Sequence, residues 1–536
     1  MAGQVRAPDA PRADVRLAHA ALLGQQYAGE SACVSDDIYG LGALLYFVAS
    51  GAQLVQLPNP FDIARRPLRI LNPEIDPAVA RVIERCLASN CGRRCRSLTE
   101  IDAALSSATG APTTRCPAAR GRRTETQARA RCEEMARHLG DALSSAARVT
   151  EDRRSAWMIG PRDLDGFRGR DLGFGSAGTV LALAELVDAF GDASHRATLA
   201  EGVRWLQDAP RPEGARLPGL YVGEGGIAAA LLRAGQILGE PTIVADAVSL
   251  SRGLATLPYG SPDIYNGTAG RLRLHLLVWD ETRRAEDIEH ARQAAEMLLQ
   301  TADENDAGEC WWRYPPGYAE LSASAYLGYA HGAAGMADAL LDLFDATGDE
   351  RFAAAARAVA RWLGRQAIPV LEDRRGLDWP VLEGGEPARG FWCHGAAGVG
   401  QFFLHAARSA AVSGALQMAE RAALTVARGT RWAGPTQCHG LAGGIEFLLD
   451  LYQATGARGH LSDARDLGRL LEAFSVEQAG SLAWASDAPT KNSADYMVGF
   501  AGVAACLLRL ADPDNQPRQL SRFGFRYRRP AQNMSR

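Results

Sequence analysis

The chain has 536 residues, 47% hydrophobic and 22% charged, which allows two or three domains with full cores and is an ordinary globular composition. Its net charge of −4 offers no general field for nucleic acid, and no apolar run is long enough to span a membrane or act as a secretory signal. Ten irregularly spaced cysteines are too few for a disulfide framework, so a reducing cytoplasm is expected, with thiols free to act as ligands.

The first 27 residues are polar and Ala-rich, without a clear period. SDDIYGLGALLYFVASG, from Ser35, predicts an apolar helix closed by Gly51. Prolines 58, 60, 67 and 73 mark connections, and Pro73 opens PEIDPAVARVIERCLASN, an amphipathic helix with Val79, Val82, Ile83 and Leu87 on one face. Ser97 followed by Glu100 has the pattern of a capping box. Cys86, Cys91 and Cys95 are suggestively spaced, but no second pair completes a metal site. A Pro-, Gly- and Ser-rich connector follows, with six arginines against one acid between Arg115 and Arg131, which reads as a solvated basic linker. A helix is expected from near Gln127 through Met135, Leu139 and Leu143.

From there the chain repeats itself. A Gly-x-x-Gly step recurs at 175–178, 223–226, 267–270, 332–335, 395–398, 440–443 and 499–502, at spacings of 44 to 65 residues, enough for two helices and their loops. Each step opens an apolar run, such as Met336, Leu340, Leu343 and Phe344 closed by Gly348, or Ile445, Leu448, Leu449 and Tyr452 closed by Gly456. Strand signals are nearly absent. The expected fold is all-α, an α/α toroid of about seven inner and seven outer helices, with the loops before the inner helices converging on one pocket.

Two of those loops, FWCHGAAG at 391–398 and QCHGLAGG at 437–444, bring Cys393, Cys438 and His439. Two thiolates and an imidazole suit Zn²⁺, and three ligands leave the open position of a catalytic site. The plainer alternative is a pair of small-residue helix starts with buried cysteines. His394, next to Cys393, is read as pocket wall, because a fourth protein ligand would close the site to substrate.

DIYNGTAG (263–270), YAHGAAG (329–335), RGFWCHG (389–395) and QCHGLAG (437–443) together resemble the motifs of the lanthionine synthetase C-like (LanC-like) cyclases, across nearly all of 125–510. The resemblance implies Cys393, Cys438 and His439 as zinc ligands, Asp263 and His331 as acid/base residues, and Arg389 as an active-site arginine. Without that resemblance, Asp263 and His331 read as helix caps and Arg389 as half of a surface ion pair. Residues 28–105 also resemble the closing half of a protein-kinase C-lobe: Ala28-Gly29-Glu30 stands at the APE triplet, Asp37 at the helix-F aspartate, and Arg94 at the arginine that pairs with the triplet glutamate. Cys91 and Gly29 depart from that pattern. No Gly-rich loop, catalytic lysine, HRD loop or DFG motif accompanies it, so kinase activity is not expected from this chain. A kinase-like part before a cyclase that keeps its zinc ligands resembles the class IV kinase–cyclase lanthipeptide synthetases. The implied domains are a partial kinase C-lobe (1–108), a basic linker (109–124), the cyclase toroid (125–515) and a basic tail expected to be disordered (516–536).

The implied reaction adds a peptide cysteine thiol to dehydroalanine or dehydrobutyrine in a precursor peptide carrying a leader, with Zn²⁺ as cofactor, in the cytoplasm. A separate dehydrating enzyme, kinase or lyase, is an expected partner; nucleic acid and membrane are not. Two alternatives stay open: a non-catalytic zinc-containing scaffold or thiol- and peptide-binding protein, and a prenyltransferase-like zinc enzyme that alkylates thiols.

Overall fold

The computed structural model describes residues 34–50, 68, 72, 75–88, 91–109, 124–149, 155–157, 169–208, 216–318, 321–371, 373–388, 390–430, 433–472, 474–478, 481–484, 486 and 493–522. Three helices lead: α1 (Val34–Ser50), α2 (Pro77–Cys86) and α3 (Leu98–Thr109). The α2 face expected to be apolar is buried at Val82 and Ile83, and Leu87 beyond its end is buried too. The capping box at α3 forms by half. Ser97 Oγ accepts the Glu100 N–H at 3.2 Å, but the Glu100 carboxylate turns to the Arg96 N–H (2.7 Å) and to Arg85 (2.6 Å). Arg94 is buried and donates to the carbonyl oxygens of Ala88 and Ser35, both at 2.8 Å. Its expected partner Glu30 lies outside the described residues, as does the rest of the 28–30 triplet.

Helix α4 (Glu125–Ala146) starts two residues before the expected point, with Thr124 and Gln127 forming a full capping box. The repeats then give α5 (Ser176–Phe190), α6 (Ala193–Asp208), α7 (Glu224–Leu238), α8 (Pro241–Ala255), α9 (Thr268–Thr282), α10 (Ala285–Gln300), α11 (Ala333–Thr347), α12 (Glu350–Arg365), α13 (Ala396–Arg408), α14 (Ala415–Gly429), α15 (Leu441–Thr455), α16 (Arg458–Glu472) and α17 (Phe500–Ala511). The odd-numbered helices from α5 to α17 begin at the Gly-x-x-Gly steps and are the seven inner helices; each packs on its neighbours, and α17 packs on α5. They are buried all round, as α5 is from Ser176 to Val187, because a helix between core and pocket has no solvent face. The outer helices are amphipathic: α12 buries Phe352, Ala353, Ala356, Val359, Ala360 and Leu363. Among the described residues, six outer helices follow inner ones in sequence. The seventh place, on α17, is filled by α4 from the other end of the repeat region.

A closed circuit of backbone hydrogen bonds runs round the pocket end. The residue two places before each capping glycine donates its N–H to the carbonyl of its counterpart in the next repeat: Gly173 to Tyr221, Tyr221 to Tyr265, Tyr265 to Ala330, Ala330 to Cys393, Cys393 to Cys438, Cys438 to Met497, and Met497 back to Gly173, at 2.7–3.4 Å. The second glycine of every step is required by the same crowding. A Cβ on Gly178, Gly226, Gly270, Gly335, Gly398, Gly443 or Gly502 would stand 2.0–2.4 Å from the carbonyl oxygen six residues earlier.

Strands are short antiparallel pairs: β1 (Arg148–Val149) with β2 (Ser155–Ala156), β3 (Asp303–Glu304) with β4 (Cys310–Trp311), β5 (Ile368–Val370) with β6 (Gly376–Asp378), and β7 (Ser475–Gln478) with β8 (Ser481–Trp484). Each brings a buried tryptophan back to the outer helix before it. The indole N–H groups of Trp157, Trp312, Trp379 and Trp484 donate at 2.7–2.8 Å to the last-turn carbonyls of Leu143, Leu298, Leu363 and Leu471, adding a side-chain cap to each helix end.

Buried charges join the inner helices away from the capping loops. Arg273 donates to Asp338 (2.6 Å), Asp342 (2.7 Å) and Tyr329 (2.8 Å), and His405 sits between Asp338 (2.8 Å) and Asp345 (3.0 Å). The basic tail expected from 516 is corrected here as far as Arg522. Arg518 donates to Asp450 and Arg522 to Asp280, each at 2.7 Å, and Arg522 is buried. These arginines are ordered because acids on the inner helices neutralise them in a dry site, a pairing that tail composition alone does not reveal. Residues 523–536 lie outside the described residues.

Candidate metal centre and active site

The two residues before each capping glycine form the loops at the start of the inner helices, where N-terminal dipole ends favour negative charge. Cys393 and Cys438 hold the second place before their glycines; His331, His394 and His439 hold the first. The donor atoms of Cys393, Cys438 and His439 all lie within 4.8 Å of one another, a span that one tetrahedral ion with bonds of about 2.0–2.3 Å bridges. Both thiols are buried and His439 is exposed. Cys438 Sγ is 3.6 Å from His439 Nε2. Burial alone would push the Cys393 thiol up, but hydrogen bonds from Cys438 and His439 and the nearby imidazoles outweigh it and hold the thiol well below its usual range. Two soft sulfur donors plus one imidazole fit Zn²⁺. His394 is not in the donor group. Its Nδ1 is buried without a hydrogen-bond partner among the described residues, and its ring packs 5.8 Å from Tyr326 and 6.0 Å from His331. Burial, with His331 and His439 nearby, lowers its pKa against the pull of Cys393.

Asp263 and His331, 68 residues apart, meet at 2.7 Å through Oδ2 and Nδ1. A carboxylate only accepts, so Nδ1 carries the hydrogen and Nε2 is left without a protein partner among the described residues. Asp263 is fully buried, and Ser261 Oγ (3.0 Å) and the Asn266 N–H (3.3 Å) fix its Oδ1. Tyr314, in the loop after β4, places its hydroxyl 3.0 Å from His331 Nδ1. Burial and the Asp263 charge keep that phenol protonated. Tyr314 was invisible in the sequence because it belongs to no motif and sits in a connection of irregular length. Asp263 is also less distinctive than the motifs imply: Asp171 and Asp495 occupy the same place, four residues before their capping glycines. What sets Asp263 apart is the histidine it reaches. Arg389 lies outside the described residues.

Aromatic rings line the space between these groups. Tyr265 stacks on Tyr221 at 5.2 Å and lies 5.0 Å from His331; Trp392 lies 5.1 Å from Tyr221 and 5.3 Å from Tyr329. Such a wall excludes water from the groups beside it.

Residues 166–521 match the family described as lanthionine synthetase C-like protein. Among solved structures, nisin cyclase is similar at 16% identity and a TM-score of 0.51, covering 74% of this chain and 96% of that one. Cellobiose 2-epimerase from Bacillus thermoamylovorans gives 11% identity and a TM-score of 0.40, over 72% of this chain and 99% of that one. The Lin0763 protein from Listeria innocua gives 10% identity and a TM-score of 0.41, over 71% and 96%. No curated protein sequence matches the chain. No helix among the described residues is long and apolar enough to cross a membrane.

Proposed function

The chain belongs to the lanthionine synthetase C-like family, and from that premise we propose that it is a zinc-dependent peptide cyclase. It would close thioether rings by adding a cysteine thiol to a dehydroalanine or dehydrobutyrine of the same precursor peptide. The observation that carries this reading is the placing of two acid/base partners, Asp263 and His331, at the same loop cluster as a two-thiol, one-imidazole donor set. Cys393, Cys438 and His439 would hold the zinc, which when bound supplies a position where a peptide thiol is kept as thiolate.

Attack by the peptide thiolate forms the C–S bond at Cβ, and the π electrons move to Cα and the adjoining carbonyl as an enolate. A proton must then reach Cα. His331 Nε2 takes the proton that the peptide thiol gives up and delivers it to Cα, while Asp263 on Nδ1 fixes the tautomer and supports the charged ring in between. Tyr314, held protonated beside the pair, hydrogen-bonds Asp263 and so helps to fix the carboxylate that orients His331. Arg389 is assigned to the enolate charge. The leader-bearing precursor has to be dehydrated first, and we assign that step to a separate kinase or lyase partner.

The test uses metal-quantified protein and a dehydrated, cysteine-containing peptide, with thiol loss followed by alkylation and mass spectrometry. Wild type should carry near-stoichiometric zinc and consume thiol; Cys438→Ala should lose both. His331→Asn should keep its zinc and fall by about 10²–10⁴-fold in rate, the usual worth of a general acid. Zinc without thiol loss in wild type would leave a non-catalytic zinc protein, and absence of zinc would overturn the ligand assignment.

A further inference from the structure

One side of the loop cluster is chemically equipped but unused by the steps above. In the second place before the capping glycine, the first repeat has Gly173, which has no side chain, and the phenol of Tyr265 from two repeats away reaches into the room this leaves. A Cβ on Gly173 would stand 3.1 Å from the Tyr265 hydroxyl and 3.7 Å from Asp171 Oδ1. Tyr265 is 5% exposed, yet its hydroxyl makes no hydrogen bond to a described residue. The oxygen keeps some accessible surface, so a ligand can reach it. Its ring is clamped by Tyr221 on one side and tilts against His331 and Phe174, so the hydroxyl position is fixed rather than adaptive.

Asp171 is the first-repeat copy of Asp263. Both accept the backbone N–H three residues on, from Phe174 (2.8 Å) and from Asn266 (3.3 Å). Asp263 offers its other oxygen to His331, the residue just before the next repeat's capping glycine. For Asp171 that place is Val222, so no cation answers it, and backbone N–H groups of its own loop are its partners. Burial raises its pKa to about 6, so it is mostly ionised at neutral pH and acts as an acceptor. Burial, above all, holds the Tyr265 phenol protonated and therefore a donor.

A fixed donor beside a fixed acceptor, on an aromatic wall next to the proton-delivering histidine, matches what one peptide unit presents. We propose that Tyr265 and Asp171 form a subsite for the substrate backbone. The Tyr265 hydroxyl donates to a peptide carbonyl, the Asp171 carboxylate accepts a peptide N–H, and the chain is thereby held with its dehydro residue against His331. This deepens the cyclase reading and rests on it for the identity of the ligand.

The experiment uses the zinc-loaded full chain and two synthetic peptides. One carries a cysteine and a dehydroalanine; the other has alanine at both positions and cannot react. Tyr265→Phe, which removes one oxygen atom, should weaken binding of the unreactive peptide about 5- to 15-fold by calorimetry and raise KM by the same factor, with kcat within about threefold of wild type. Asp171→Asn, which keeps the oxygen that accepts from Phe174, should weaken binding about threefold. Zinc content and melting temperature should match wild type in both variants. Unchanged affinity in Tyr265→Phe overturns the subsite, and so does a fall in kcat at unchanged KM, which would make the phenol a participant in chemistry. A wild type that binds the unreactive peptide through Tyr265 but leaves dehydroalanine untouched would keep the subsite and remove the cyclase. A wild type that binds neither peptide removes both.

Discussion

Gly398→Ala and Gly364→Ala add the same methyl group to two helices and should change stability in opposite directions. A Cβ on Gly398 would lie 2.0 Å from the Trp392 carbonyl oxygen and 2.6 Å from Tyr329 Cβ. Neither neighbour is the end of a flexible side chain, so backbone must move by roughly 1 Å, an overpacking cost of about 1–3 kcal/mol that exceeds the gain of up to ~1 kcal/mol from replacing a helical glycine. Trp392 precedes Cys393, so the displacement reaches one of the proposed zinc ligands, and metal affinity should fall about tenfold or more. Gly364, exposed in α12, has nothing within 4 Å of such a Cβ, and its substitution should stabilise by about 0.5 kcal/mol. Urea unfolding of the three proteins, with zinc titrated against a chelator, reads both effects. A Gly398→Ala protein as stable as Gly364→Ala, with wild-type zinc affinity, would refute the claim that close approach dictates the repeated glycines.

Two further outcomes concern the buried charges. His405 has a carboxylate on each ring nitrogen, so both must carry hydrogen; although burial opposes the charge, Asp338 and Asp345 raise its pKa to about 10. Its unfolded value is about 6.5, so the stabilisation is fully present below about pH 6.5 and is lost as pH rises towards 10, at up to ~1.4 kcal/mol per pH unit. Urea unfolding at pH 7, 8, 9 and 10 should show a steeper decline for wild type than for His405→Gln, and parallel declines would contradict it. Arg522→Ala should lower stability by about 3 kcal/mol, because it strips a buried partner from Asp280, and a change within experimental error would mean that the segment contributes no stability.

The sequence made the toroid legible because its constraint is periodic. A glycine forced by a carbonyl six residues back recurs in every repeat, whatever the neighbouring side chains, and so stands out without any structure. The cluster of Cys393, Cys438 and His439 and the Asp263–His331 pair were legible because they fall at fixed offsets from those glycines. Contacts between irregular connections were not. Tyr314 and the four tryptophans lie in hairpins of unequal length, and Tyr265 gains its role only because Gly173, two repeats away, leaves room for it. Arg518 and Arg522 looked like a solvated tail because pairing acids lie as far as 242 residues away. The helix that completes the outer layer was found, but its place beside α17 was not readable, since nothing local in α4 distinguishes a last helix from a first.

That exchange of ends has a consequence for how the molecule comes into being. Open solenoids can grow from any nucleus, each added unit resting on its neighbour. Here the helix that covers the seventh inner one is made hundreds of residues before it and must wait for it, and the backbone circuit closes only when Met497 reaches Gly173. Contacts of such sequence separation make assembly slow and strongly cooperative. Half a ring has half a mouth, so metal affinity should appear abruptly at closure rather than accumulate as the chain emerges. Severing either end, even far from the thiols, should therefore abolish the metal centre outright instead of weakening it by degrees.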